Sequence, residues 1–330
     1  MHKIALHALI VICFLLACSA TRDEIAWTPY GKFVSNEIAE SSGLVKSRRF
    51  ERVFWTHNDR GDRARIFATT AEGELIREVR IHGGKNVDWE DIAIDDSGHL
   101  YIGDFGNNRE KTQELTIYVV NEPNPFEADS TSVIMHIVFT FPDGVSSGNG
   151  ANANFDCEAL FYANGRLYCL TKHAREKITR LYRFESLEDN ARQTLTEIEE
   201  FKIYGAVTAA DASIDGSLLL VLCYEYIYLF EKPSESDNYL AGKFKRITSA
   251  AGKGEGICFA GSDIFISNER GEIYKLPLSI FDTPGEKSSI TGQRFIEKDG
   301  NFQLEKVNQN RINNPVLSSR PLLCFAIKPP

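Results

Sequence analysis

Trp89-Glu90-Asp91-Ile92-Ala93, a turn at Asp95-Asp96-Ser97-Gly98, and then Leu100-Tyr101-Ile102-Gly103-Asp104 is the stretch on which the reading of this chain turns. An acidic residue leads a short apolar strand, and a second strand ends on a polar side chain 14 residues later. The pattern recurs with 13-residue offsets from Glu158 in Cys157-Glu158-Ala159-Leu160 to Thr171, and from Glu255 in Gly254-Glu255-Gly256-Ile257 to Asn268. Self-similarity at a period of tens of residues marks a repeat architecture, and it decides fold before any local propensity does.

Two weaker copies extend the series. Ser41-Ser42-Gly43-Leu44-Val45 precedes Phe54-Trp55-Thr56-His57-Asn58-Asp59, and Ala210-Asp211-Ala212 precedes Leu220-Val221-Leu222-Cys223. The leading positions 42, 90, 158, 210 and 255 stand 48, 68, 52 and 45 residues apart. Most strand signals are short, aromatic or β-branched, and bounded by Gly, Asn or Asp, with hairpin turns at Asn164-Gly165, Asp215-Gly216-Ser217 and Gly261-Ser262-Asp263. No segment carries a convincing amphipathic stripe; Ser186 to Glu199 lacks one and reads as a loop between strands. The expectation is an all-β chain of four-stranded antiparallel sheets arranged as a β-propeller. The count expected is six blades, with five as the alternative. The sixth blade would combine Gln293–Ile296, Leu322–Ile327 and the N-terminal Tyr30–Ser35 segment. The long spacing after the second copy is an insertion, 121–154, rich in Pro, Gly and Asn, with a strand-like piece at Ser132–Phe141 that suits the outer strand of the second blade.

The N-terminus has a different character. One positive charge, Lys3, precedes an apolar run from Ile4 to Ala17 broken only by His7, which is the composition of a secretory leader and too short for a bilayer span. Leu15-Leu16-Ala17-Cys18-Ser19 resembles a bacterial lipobox, which implies a signal peptide over 1–17, cleavage before Cys18, and lipid on that cysteine; an ordinary signal peptide cut near Ala20 is the alternative. The expected product is a single propeller domain over 18–330, monomeric, held at the cell envelope through the lipid alone. Formal charge is −9 over 330 residues, and no Lys/Arg run offers a polyanion-binding face, so nucleic acid is not an expected partner. With Cys13 and Cys18 set aside, five cysteines remain without a CxxC pair, which argues against a disulfide framework and a zinc site; one Cys157–Cys169 bridge stays open.

In a propeller the first strand of each blade lines the central channel, so the leading residues form a ring. Here that ring reads Ser42, Glu90, Glu158, Ala210 and Glu255, with Asp91 and Asp211 one residue further in. Carboxylates gathered this closely need a cation, a proton or a cationic side chain to compensate them. Carboxylates at strand starts also cap turns or accept hydrogen bonds from a neighbouring blade's backbone. His57, with Asn58 and Asp59 beside it, is a candidate general base.

Asp88-Trp89-Glu90-Asp91-Ile92-Ala93 leading to Tyr101-Ile102-Gly103-Asp104-Phe105-Gly106-Asn107-Asn108, with Asp156-Cys157-Glu158-Ala159-Leu160 after it, resembles exported bacterial propellers loosely grouped with phytase-like and gluconolactonase- or paraoxonase-like calcium proteins. The resemblance implies Ca²⁺ as a cofactor, with Glu90, Glu158, Glu255, Asp104 and Asn268 as its ligands. No His-His dyad of the paraoxonase sort is present, and Ser42 and Ala210 break an all-acidic ring. Two functions follow as expectations. One is a lipid-anchored envelope propeller that binds a small-molecule or protein ligand at an acidic mouth. The other is a Ca²⁺-dependent hydrolase of phosphoesters or lactones.

Overall fold

The computed structural model describes residues 27–107, 115–142, 156–172, 177–190 and 192–282, together with the backbone of 293–298 and 301–306. Apart from two short 3-10 turns, its regular structure is all β. After β1 (Gly31–Lys32), the first sheet comprises β2 (Ser41–Lys46), β3 (Phe54–Asn58), β4 (Arg65–Thr69) and β5 (Leu75–His82). The second holds β6 (Trp89–Ile94), β7 (His99–Asp104), β8 (Leu115–Asn121) and β9 (Ser130–Thr140). The third is built from β10 (Cys157–Ala163), β11 (Arg166–Thr171), β12 (Ile178–Arg183) and, past the short β13 (Arg192–Thr194), β14 (Thr196–Lys202). Then come β15 (Val207–Ala212), β16 (Leu218–Cys223), β17 (Tyr226–Glu231) and β18 (Phe244–Thr248). The fifth sheet has β19 (Gly254–Ala260), β20 (Asp263–Asn268) and β21 (Glu272–Pro277). Each sheet is an antiparallel meander.

The fifth sheet reaches four strands because β1 pairs with β21, Gly31 opposite Ile273. This departs from the expected sixth blade: the Tyr30–Ser35 segment closes the fifth sheet instead. Among the described residues Gln293–Lys298 (β22) pairs with Asn301–Lys306 (β23) alone, as a two-stranded sheet in a separate compact unit, 289–330. Residues 322–327 lie outside the described residues, as do Cys18 and the leader.

Within the unit spanning 1–288, the leading strands touch in cyclic order, β2 to β6, β10, β15, β19 and back to β2. Five apolar clusters fill the five gaps between consecutive sheets. In β16, Leu219 and Val221 pack toward the third sheet, while Leu220 and Leu222 pack toward the fifth. A sheet covered on both faces needs apolar residues at every position, which is why Leu218-Leu219-Leu220-Val221-Leu222 reads as a continuous run and not as an alternation. Phe54 and Phe67 of the first sheet meet Phe265 and Ile273 of the fifth, so the last gap is filled like the others. Trp55 and Trp89 are fully buried anchors, and their indole N–H groups donate to Glu122 Oε1 and Lys85 O at 2.8 and 2.7 Å.

The outer strands are the polar ones. The reading of Ser186–Glu199 as loop holds for 186–190 and fails beyond it, where β13 and then Thr196–Lys202, the β14 edge of the third sheet, are strands; the half-exposed face of β14 hides it in a polar sequence. The insertion after β8 supplies β9, as expected. This strand also pairs in parallel with β5 at Ser130–Ser132, which joins the first two sheets at their outer edges, and with the short β13 at Val138–Thr140. Asn164 and Gly165 turn at φ 51° and 77°, as a tight hairpin with positive φ at both central positions requires. Cys157, Cys169, Cys223 and Cys258 are buried free thiols.

Candidate functional site

Every leading strand carries a β-bulge near its start, between Ser42 and Leu44, Trp89 and Ile92, Cys157 and Ala159, Val207 and Ala209, and Gly254 and Gly256. A bulge leaves a residue out of the ladder and re-aims its side chain. The first pairs of the five ladders, Ser41–Asn58, Trp89–Asp104, Cys157–Thr171, Val207–Cys223 and Gly254–Asn268, are equivalent and fix the next column as Ser42, Glu90, Glu158, Thr208 and Glu255; in the first sheet Ser42 still pairs, with His57, and Gly43 is the residue left out. The fourth member is thus Thr208 and not Ala210, which pairs with Val221 two positions deeper. The Asp211 motif was matched to Asp91 by chemistry; the ladder puts the two at different depths.

The two hydroxyl members bind protein. Ser42 Oγ donates to Glu90 O and Thr208 Oγ1 to Gly254 O, each at 2.7 Å and each on the next leading strand. The three glutamates instead line one cavity of about 410 Å³, with Glu90 and Glu158 buried and Glu255 half-buried. A second column completes the cavity wall. Asp59, Gly106, Lys172, Tyr224 and Glu269 follow the second strands, and each donates its backbone N–H across the sheet, to Glu40 O, Asp88 O, Asp156 O, Ala206 O and Lys253 O at 2.7–3.2 Å. Of these, Asp59, Lys172, Tyr224 and Glu269 line the cavity. Glycine at 106 leaves room for Glu90, since a Cβ there would lie 2.0 Å from Glu90 Oε1.

One half of the mouth is internally compensated. Lys172 Nζ lies 3.0 Å from Glu158 Oε1 and 5.5 Å from the centre of the Tyr224 ring. Tyr224 in turn donates its hydroxyl to Glu255 Oε1 at 2.8 Å. Burial pushes the Glu158 carboxyl well above the usual range and Lys172 pulls it back; burial would lower Lys172, but Glu158, Tyr224 and Glu255 together outweigh it and raise the ammonium above its ordinary value. Burial raises Glu255 to about 7 against the Tyr224 bond and the Lys172 charge. Glu90 differs. Burial first, then Glu158, Asp59 and Asp88, drive its carboxyl well above the ordinary value. One oxygen each of Asp59, Asp88 and Glu90 lies within 4.8 Å of the others.

Only three of the five ligands implied by the calcium resemblance come together. Asp104 Oδ1 accepts the N–H groups of Val87 and Asp88 at 3.2 and 2.7 Å, and Asn268 Oδ1 those of Arg270 and Glu272 at 3.0 and 2.9 Å. Both side chains cap loops and neither lines the cavity. With Glu158 already paired to Lys172, the five-residue axial set does not fit a metal ion. His57 is fully buried and outside the cavity lining. Its Nδ1 lies 3.0 Å from Asn58 O, its ring stands edge-on to Trp89, and burial lowers its pKa to about 4. Asn107 N–H donates to Asp156 Oδ1 at 3.0 Å, and Asn108 lies outside the described residues.

Of the cations that the sequence offers as partners for the ring glutamates, Arg60, Arg63, Lys172 and Arg270, it is Lys172 that pairs with one, Glu158. Tyr224 is the site residue that sequence reasoning did not single out; it stands one residue beyond the end of its strand, as Lys172 does. Below the mouth, Asp91 accepts N–H groups from Ile92, Leu160 and Ala210 at 2.9, 2.8 and 3.2 Å, and the deeper Asp211 accepts that of Phe259 at 2.9 Å. Among the described residues no helix is long and apolar enough to cross a membrane. Comparison with protein-family models gives no match, and comparison with curated proteins gives none either.

Proposed function

We propose that this chain is an envelope protein, lipid-anchored through Cys18, whose five sheets are the blades of a β-propeller and whose acidic mouth binds a small ligand carrying a cationic or hydroxyl-rich group. The observation behind this reading is that glutamates at one bulge position of three sheets share a single cavity with Lys172 and Tyr224. A concave site with a few convergent polar groups, including titratable ones displaced from their ordinary values, is where ligands are generally held. The acidic excess favours a cation, and the Lys172–Tyr224–Glu255 chain supplies both a donor and acceptors for a polyol or amino group.

The test is a binding screen with spermidine, arginine and glucosamine as probes. At least one should bind the parent, weaken by about tenfold or more in Glu255→Gln, as loss of a charged hydrogen-bond partner implies, and bind Glu200→Gln on the outer strand normally. Equal weakening in both variants, or no binding by any probe, contradicts the reading. Anchoring is checked separately: Cys18→Ala protein should leave the membrane fraction.

A hydrolase of phosphoesters or lactones is a second reading, favoured by Glu255 alone. It faces the cavity with a pKa of about 7 and one oxygen held by Tyr224, a state suited to proton transfer near neutrality. Turnover of a chromogenic phosphoester or lactone that disappears in Glu255→Gln would favour it, and turnover unchanged from background would remove it.

A further inference from the structure

The compensated half of the mouth throws the other half into relief. Asp59 follows β3, Asp88 precedes β6, and Glu90 is in the bulge of β6, so their three oxygens converge where the first sheet meets the second. The spacing is fixed by bonds that do not use the converging atoms. Asn86 Nδ2 donates to Asn58 O and Asp59 O at 3.0 and 2.9 Å, tying the two loops, while Asp104 holds the backbone of Val87 and Asp88. Glu90 is 7% exposed and lines the cavity, yet no described residue donates a hydrogen bond to its carboxylate or forms an ion pair with it. A buried carboxylate that takes no donor from the described residues and faces two more acids is costly unless a positive charge is brought to it. Glu158, at the same bulge position one sheet further on, has its cation supplied by Lys172; at the position equivalent to Lys172 the second sheet has Gly106, which brings no charge and lets the Glu90 and Asp88 carboxyl groups approach its backbone.

We propose that Asp59, Asp88 and Glu90 bind a hard divalent cation, displaced from the ring axis toward the gap between the first and second sheets, with the Lys172 ammonium taking the place of an ion at Glu158. An all-oxygen, carboxylate donor set selects the Ca²⁺ and Mg²⁺ class over soft metals. Oxygens up to 4.8 Å apart suit the roughly 2.3–2.6 Å bonds of Ca²⁺ better than the tight octahedron of Mg²⁺, at about 2.1 Å. This inference rests on the acidic mouth being a binding site, but it assigns the ion to residues that an organic ligand at Glu255 would not need.

The full chain, stripped with chelator, is titrated with CaCl₂ and separately with MgCl₂, followed by calorimetry and by thermal denaturation. One Ca²⁺ should bind per chain, raise the melting temperature, and bind more tightly than Mg²⁺. Asp59→Asn and Glu90→Gln should each weaken Ca²⁺ at least about tenfold, a loss that even an outer partner of a metal site commonly causes. Glu200→Gln, on the outer strand β14 and away from the cavity, should leave it unchanged. The proposal is overturned if Ca²⁺ produces neither heat nor a melting shift, or if Glu200→Gln weakens it as much as Asp59→Asn. Should Asp59→Asn fold poorly, Glu90→Gln carries the test. Spermidine, arginine and glucosamine binding to metal-free parent and Glu255→Gln protein separates the two readings: Ca²⁺ binding without a response to these probes leaves the ion site standing and removes the organic-ligand proposal.

Discussion

Carboxylates on the inner strands fall into two groups, at the mouth and below it, and the two behave oppositely. At the mouth, Glu90, Glu158 and Glu255 face a cavity; Glu158 and Glu255 take side-chain partners, and Glu90 takes none among the described residues. Below the mouth, at two different depths, Asp91 and Asp211 are consumed by backbone. The Asp91 carboxylate gathers amides from β6, β10 and β15, joining three leading strands, and Asp211 clasps β19 from β15. Adjacent residues, Glu90 and Asp91, fall on opposite sides of this divide because the β6 bulge spans both and turns one toward the cavity and the other toward its neighbours' N–H groups. An acidic residue on an inner strand is therefore structural where a neighbouring strand's amides reach it, and available for binding where they do not.

The largest effect should come from the lower layer. Asp91→Ala strands three buried amides, at a cost of roughly 1–3 kcal/mol for each group left unsatisfied, so urea denaturation should show a loss of about 3 kcal/mol or more. Asp91→Asn, which keeps one acceptor, should lose less. If Asp91→Ala is as stable as the parent, the division between layers fails.

Next comes the compensated half of the mouth. Lys172→Met leaves Glu158 buried without its cation and should destabilise by about 3 kcal/mol, the low end for breaking a buried ion pair. The double variant Glu158→Gln with Lys172→Met should recover most of that loss. An additive double variant would mean that the 3.0 Å contact carries no coupling.

A smaller effect is one of pH. Asp211 is raised by burial from 3.8 to about 7, so the stability it contributes is complete below about 3.8 and is lost as pH rises through 7. His57 is lowered by burial from 6.5 to about 4, and its contribution is complete above 6.5 and is lost as pH falls through 4. The slopes oppose each other across the same window. Asp211→Asn removes the first, so its stability relative to the parent should improve from pH 4.5 to pH 8. A constant difference between the two proteins would show that Asp211 titrates in the folded protein as it does in the unfolded one.

How far the chain could be read in advance follows the same physics. Inner strands were legible because sheets buried on both faces write unbroken apolar runs, and hairpins because Asn164-Gly165 and Gly216 carry positive φ. Outer strands such as β14 were not, since an edge with one half-wet face is composed like a loop. Within the site, the glutamate column stood out by recurrence. Thr208 was displaced by two positions because a bulge shifts register without leaving a mark in composition. Asp104 and Asn268 looked like ligands because a polar side chain at a strand end has the same sequence whether it caps a loop or faces a channel. Lys172 was legible as one of four cations near the ring, but not as the one paired to Glu158, because the choice depends on which strand ends face the cavity.

The most direct measurement is the unfolding free energy of Glu90→Gln set beside that of Asp91→Ala, in metal-free buffer at pH 7. Relieving a buried, unpaired carboxylate among like charges should leave Glu90→Gln at least as stable as the parent, while Asp91→Ala loses about 3 kcal/mol or more. A Glu90→Gln protein destabilised as severely as Asp91→Ala would mean that the mouth, too, is scaffold and not a binding site.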